Sequence, residues 1–269
     1  MASVPPTPFG QGEAATATAH NRMQRRCRSA ILPEEPKASM TKRFTAIVLD
    51  LDGTLIDSAP DLHAAVSALL AEEGLPAPSL TAVTGMIGDG MAKLVERAFV
   101  AAGRPPSRDA LPDLLRRFRA FYEGPDRPRL TRVYPDVAET LRRLRAEGVS
   151  LAVCTNKAEA AAVAILDELG LADLLDAVVG GDRVPAQKPD PAHILAALGR
   201  IGADRSTAAM VGDSPNDIAA GLAAGLPVVA VSWGYTNVAP ADLGADCLID
   251  RFADLPAALD RLAAAPVRP

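Results

Sequence analysis

Residues 44–55 read Phe-Thr-Ala-Ile-Val-Leu-Asp-Leu-Asp-Gly-Thr-Leu. Phe44 to Leu49 is a short, β-rich apolar run with the pattern of a buried strand. Asp50 and Asp52 follow at once, two residues apart, so on an extended backbone their side chains share a face. The run therefore reads as a strand that delivers carboxylates at its C-terminal end.

The next recognisable buried strand is a hundred residues away. Between the two, Ala59 to Glu73, Asp89 to Ala102 and Ala110 to Tyr122 carry apolar residues at helical spacing. Gly74-Leu75-Pro76 and Gly103-Arg104-Pro105-Pro106 break them apart. This is the signature of an all-helical insertion after the first strand. Beyond Pro135, helix and strand alternate: helices at 136–147, 158–169, 191–201 and 216–224, strands at 149–154, 177–179, 208–211, 228–231 and 247–249, then a terminal helix. Such alternation predicts an α/β fold, a doubly wound parallel sheet with helices on both faces. Ligands of these sheets collect at the C-terminal strand ends, near the topological switch point.

Four such ends carry polar groups: Asp50 and Asp52; Thr155-Asn156-Lys157; Gln187-Lys188-Pro189; and Gly212-Asp213-Ser214-Pro215-Asn216-Asp217. Each has a purely structural reading. Asp-Gly is a common turn, Thr-Asn-Lys a helix start, Gly-Asp-Ser a helix cap. Together they place four carboxylates and Lys188 at one edge. Adjacent carboxylates repel, which favours a shared cation or a retained proton, the latter on Asp52. An all-oxygen donor set selects Mg²⁺ over zinc. A metal and a lysine that screen an anionic phosphate suit phosphoryl transfer.

Asp-Leu-Asp-Gly-Thr-Leu, Thr155, Lys188-Pro189 and Gly212-Asp213-Ser214-Pro215-Asn216-Asp217 resemble, in order, the four motifs of the haloacid dehalogenase-like (HAD) hydrolase superfamily over residues 44 to about 265. The helical insertion is similar to that superfamily's C1 cap. Within it, the motifs most resemble those of the bacterial phosphoglycolate phosphatases. The resemblance implies a HAD-like, Rossmannoid core at 40–57 and 135–269 with an α-helical cap at 58–134. It implies hydrolysis of 2-phosphoglycolate through an aspartyl-phosphate on Asp50, with Asp52 as general acid and then base. It further implies phosphate contacts from Thr155, Asn156 and Lys188, and Mg²⁺ on Asp50, Asp52 (through its carbonyl) and Asp213, with Asp217 supporting them. Another small phosphate monoester, such as a sugar phosphate, is the alternative substrate. A HAD-like binding module without chemistry is the alternative class, against which intact Asp50, Asp52, Lys188 and Asp213 speak.

Specificity is expected from the cap loop Gly85-Met86-Ile87-Gly88-Asp89-Gly90. Gly88 and its neighbours precede a helix whose amides could face an anion, with Lys93 or Arg97 nearby. The plainer reading makes Asp89 a helix N-cap. Cys154 reads as a buried strand residue, His63 and His193 as packed or solvated helix residues, Lys157 as a first-turn helix residue, and Trp233 and Tyr235 as packing.

The 269 residues carry 28 Lys+Arg against 33 Asp+Glu, a formal charge of −5, which argues against a nucleic-acid partner. Cys27, Cys154 and Cys247 form neither a disulfide framework nor a zinc site, which fits a reducing cytoplasm. The uncharged stretch 218–241 is interrupted by Gly221, Gly225, Pro227, Gly234 and Pro240, so no membrane span is expected. Residues 1–39, with no hydrophobic periodicity, read as a disordered extension. The expected partner is a small phosphate monoester, and the expected state a monomer or homodimer.

Overall fold

The structure, a computed structural model, describes residues 44–125 and 128–264; the expected extension at 1–39 lies outside them. The chain enters through β1 (Ala46–Leu49) and β2 (Ile56–Asp57). The helices α1 (Ala59–Glu72), α2 (Leu80–Thr84), α3 (Met91–Ala101) and α4 (Leu111–Glu123) follow, and β3 (Arg132–Val133) returns it. The remainder alternates: α5 (Val137–Ala146), β4 (Ser150–Thr155), α6 (Glu159–Glu168), β5 (Ala177–Gly180), α7 (Pro191–Arg200) and β6 (Ala208–Gly212). Then come α8 (Pro215–Ala223), β7 (Val228–Val231), β8 (Cys247–Ile249) and α9 (Leu255–Ala264).

Six strands form one parallel sheet in the order β5-β4-β1-β6-β7-β8. All four residues of β1 are fully buried, and their alternation divides the core between two faces. Ile47 and Leu49 pack with Val137 and Leu141 of α5, Leu166 of α6 and Leu255 of α9. Ala46 and Val48 pack with Ile194 and Leu198 of α7 and Ile218 of α8. A strand covered on both sides must be apolar throughout, which is why the run before Asp50 is unbroken. The register pairs Leu49 with Val153 on one side and Val211 on the other. Asp50, Thr155 and Asp213 therefore emerge at nearly one level, either side of the point where the strand order reverses.

The helical insertion has a core of its own: Leu62, Val66, Leu69 and Leu70 of α1, Leu94, Val95 and Phe99 of α3, and Leu114, Phe118 and Tyr122 of α4. The spacings are those of one helix face turned inward. Three of its helices were expected. α2 was not, because five residues are too few for periodicity to register; Ser79 caps it by accepting from the Ala82 amide. The antiparallel pair β2–β3, which ties entry to exit, is likewise only two residues per strand. Asp61 reinforces this neck, its carboxylate accepting from the Leu130 and Thr131 amides and the Thr131 hydroxyl. No helix among the described residues is long and apolar enough to cross a membrane.

Phe118 is fully buried at the centre of the insertion. Phe118→Ala should lower unfolding stability by about 3–5 kcal/mol, the usual cost of removing a buried ring. Val100→Ala, on the exposed side of α3, should stay within about 0.5 kcal/mol. Urea denaturation midpoints of the two variants check the pair.

Candidate active site

The β1 strand end places Asp50 beside Lys188, which the loop before α7 carries in. The Lys188 ammonium is fully engaged: it donates to Asp50 Oδ1, Asp217 Oδ1 and the Cys154 carbonyl, each at 2.6 Å. Burial alone would lower its pKa, but Asp217 and Asp50 outweigh that and hold it above the usual lysine value. Asp50 keeps Oδ2 free of hydrogen bonds among the described residues. Behind Lys188, buried His193 accepts from the Lys188 amide through Nδ1 at 3.4 Å and donates through Nε2 to the Val179 carbonyl. Burial and the neighbouring ammonium push the His193 pKa down to about 4, so the ring is neutral in this role.

Asp217 owes its place to a helix start. Ser214 and Asp217 form the capping box of α8, in which Asp217 Oδ2 accepts from the Ser214 amide at 3.0 Å and its hydroxyl at 2.7 Å. Its other oxygen holds Lys188, so the structural and functional readings of this motif are both correct. Asp213 is held by the Thr54 hydroxyl at 2.9 Å and the Tyr235 amide at 2.7 Å. Gly53, at φ 96°, and Gly234 press against it; a Cβ at either position would overlap the Asp213 side chain.

Oxygens of Asp50, Asp213 and Asp217 lie within 4.8 Å of one another. Burial, then the neighbouring Asp217, raises the Asp213 pKa to about 7, and the same two causes raise Asp50. Three carboxylates against the single ammonium of Lys188 leave a buried excess of negative charge, and every donor atom is a hard oxygen. This set fits a divalent cation.

Asp52 has partners that nothing local in the sequence marks. Its carboxylate accepts from the Lys157 ammonium at 2.9 and 3.0 Å and from the Ser58 hydroxyl. Asp50 and Asp52 are thus each given their own lysine. Lys157, read from sequence as a first-turn helix residue, is buried in the site, and the ring of Tyr122 from α4 lies 5.0 Å from its ammonium. Only its nearness to Thr155 hinted at this.

A cavity of about 360 Å³ opens over these groups, roofed by Leu62, Ile87, Leu94 and Leu115 of the insertion. Thr155 lines it. Asn156 also lines it, but its Nδ2 is occupied by the Gly88 and Lys188 carbonyls at 3.0 and 2.9 Å. Gly88 meets the core through that carbonyl. Asp89 is not the N-cap of α3; Gly90 is. Asp89 instead pairs with Arg97 and accepts from Asn216, while Lys93 pairs with Glu96. Neither cation is thereby left for a ligand. Tyr235, expected only to pack, accepts at its hydroxyl from the Ser58 and Ala59 amides and donates to Asp57. It joins the neck of the insertion to Asp213. Trp233 does pack, against Tyr134 and Phe252. Cys154 is buried, which pushes its thiol up to about 12, out of reach of nucleophilic chemistry.

Residues 44–225 match the family of haloacid dehalogenase-like hydrolases. A phosphoglycolate phosphatase of Caulobacter vibrioides is 43% identical over 218 residues, covering 79% of this chain and 89% of that protein. One of Rhodospirillum rubrum is 45% identical over 214 residues, covering 78% and 88%. Among solved structures, a predicted phosphoglycolate phosphatase from Haemophilus somnus 129pt superposes with a TM-score of 0.74 at 36% identity, covering 80% of this chain and 97% of that one.

The raised Asp213 pKa has a definite sign. The folded chain keeps a proton that the unfolded chain releases near the ordinary value of 3.8, so stability of the cation-free protein falls as pH rises from there to about 7. A divalent cation replaces that proton. The Tm increase on adding Mg²⁺ should therefore be small at pH 5 and large at pH 8; an increment that does not grow with pH would remove Asp213 from the cation site. Gly234→Ala should shrink the increment at pH 8 by displacing Asp213, measured by the same thermal scan.

Proposed function

The chain belongs to the haloacid dehalogenase-like hydrolase family, and on that basis we propose that it is a Mg²⁺-dependent phosphatase converting 2-phosphoglycolate to glycolate and phosphate. The observation that carries the chemistry is the buried Lys188 bridging Asp50 and Asp217 beneath a roofed cavity. The substrate is that of the phosphatases at 43% and 45% identity.

Asp50, Asp213 and the Asp52 carbonyl would hold Mg²⁺, with Asp217 keeping Lys188 and the main chain in place. The bound cation supplies charge screening that lets an anion approach a phosphate. Lys188 fixes one oxygen of Asp50, and the free Oδ2 attacks phosphorus as the ester P–O bond breaks. Asp52 gives a proton to the departing alkoxide. It then takes one from the water that cleaves the aspartyl-phosphate, which frees the Asp50 carboxylate and returns Asp52 to its acid form. Lys157 and Ser58 stabilise the ionised Asp52 from which this second step starts. Thr155 and the adjacent main chain receive phosphate oxygens.

Residues 58–134 act as a cap. Their apolar roof excludes water while Asp50 is attacking, and its reopening releases glycolate. The β2–β3 neck, tied by Asp61 and Tyr235, is where that movement pivots.

Asp50→Asn should reduce kcat by at least about 10³-fold while circular dichroism and Tm remain those of a folded protein. Near-wild-type turnover in that variant removes the nucleophile assignment. A panel of kcat/KM values over 2-phosphoglycolate, sugar phosphates and pyrophosphate with Mg²⁺ tests the substrate. A sugar phosphate that outperforms 2-phosphoglycolate tenfold overturns it and leaves the phosphatase chemistry standing.

A further inference from the structure

The cavity roof contains two polar groups that neither the cation site nor the phosphoryl chemistry uses, and both come from α4. The Tyr122 hydroxyl is buried, the residue being 6% exposed; the Lys157 ammonium lies near it, but no partner meets it with hydrogen-bond geometry. Buried polar atoms are almost always satisfied, so an orphaned hydroxyl in a cavity wall marks a place where a ligand atom completes the bonding. Arg119 lies three residues earlier, on the same side of the helix, and lines the same cavity.

The charge pattern separates Arg119 from its neighbours. Arg116 and Arg117 of the same helix pair with Asp113, Glu72 and Glu73. Among the described cations that line the cavity, Lys188 is held by Asp50 and Asp217 and Lys157 by Asp52, whereas Arg119 has no acidic partner. A guanidinium presents a planar fork that fits a carboxylate, and a phenol donates to an anionic oxygen.

We infer that Arg119 and Tyr122 form the subsite for the carboxylate of the substrate's leaving group. The inference rests on the phosphatase reading above and supplies its specificity. Position supports it. Tyr122 lies over Lys157, which contacts Asp52, the group that protonates the departing alcohol. The subsite is therefore on the leaving-group side of phosphorus. In an ester of a 2-hydroxy acid the carboxylate is attached to the carbon that bears the ester oxygen, and it reaches this side without a long spacer. The loop cations considered from sequence, Lys93 and Arg97, are already paired and drop out.

The test compares kcat/KM on 2-phosphoglycolate with that on ethyl phosphate, which has the same length but lacks the carboxylate. Arg119 is itself exposed, so Arg119→Gln should cut the selectivity ratio by about 10-fold, the scale of one hydrogen bond to a charged group. Arg119→Lys should restore part of it. Tyr122→Phe keeps the ring that stacks on Phe118 and should cut the ratio by about 10-fold. A wild-type enzyme that prefers 2-phosphoglycolate, with variants that keep that preference or lose both substrates equally, overturns the subsite alone. A wild-type enzyme with no preference for 2-phosphoglycolate overturns the substrate reading and the subsite with it.

Discussion

The site is organised around one buried ammonium. Lys188 donates to three acceptors from three strand ends: Asp50 after β1, the Cys154 carbonyl in β4, and Asp217 just beyond β6. None of these acceptors tolerates displacement, because a buried ammonium that loses a partner is far costlier than one never buried. The loop that carries Lys188 is itself pinned by His193 from behind and by Asn156 on its carbonyl. Such a cluster is a poor stability device, since desolvating several charges offsets most of their attraction. Its value lies in orientation: it turns one oxygen of Asp50 inward and leaves the other free.

The helical insertion depends on the same centre through a few bonds. Tyr235 donates its amide to Asp213 while its hydroxyl holds the first residues of α1, so a shift at the neck is felt by Asp213. On the opposite side, Asn156 and Asn216 reach from the core to the Gly88 carbonyl. The insertion packs internally on Phe118 and its neighbours but meets the core through polar contacts such as these. A body that is apolar inside and polar at its seam can move as a unit, since few apolar contacts are lost when the seam opens.

The core was legible because its signals are long and repeated. Strands covered on both faces read as apolar runs, and the intervening helices have clear periodicity, so the parallel sheet and most of its element bounds follow from the sequence. The four polar strand ends were legible because a parallel sheet has one chemically useful edge. What escaped was set by long-range geometry. Nothing local marks Lys157 as the partner of Asp52, 105 residues away, or Tyr235 as the clasp between Asp213 and the neck. Asp89 looked like a cap because it precedes a helix, but its carboxylate found Arg97 and Asn216 in space. Gly53 and Gly234 are close-packed against Asp213, a requirement that appears only once the chain is folded.

The two aspartates of the opening run show how little spacing alone decides. On one face of an extended strand they would share a field, and a cation or a bound proton would be needed to keep both there. The fold separates them. Asp50 lies on Lys188, buried with Asp217 and Asp213, in surroundings that favour either a proton or a cation. Asp52 accepts from Lys157 and Ser58, with Tyr122 of the α4 helix over that lysine. Identical side chains two residues apart are thereby given unlike partners, which is the condition for unlike roles. The lysine scarcity of the chain makes the economy visible: Lys157 and Lys188, two of only five lysines, are placed one on each carboxylate. The arginines are far more numerous, and among the described ones Arg119 is the one that lines the cavity.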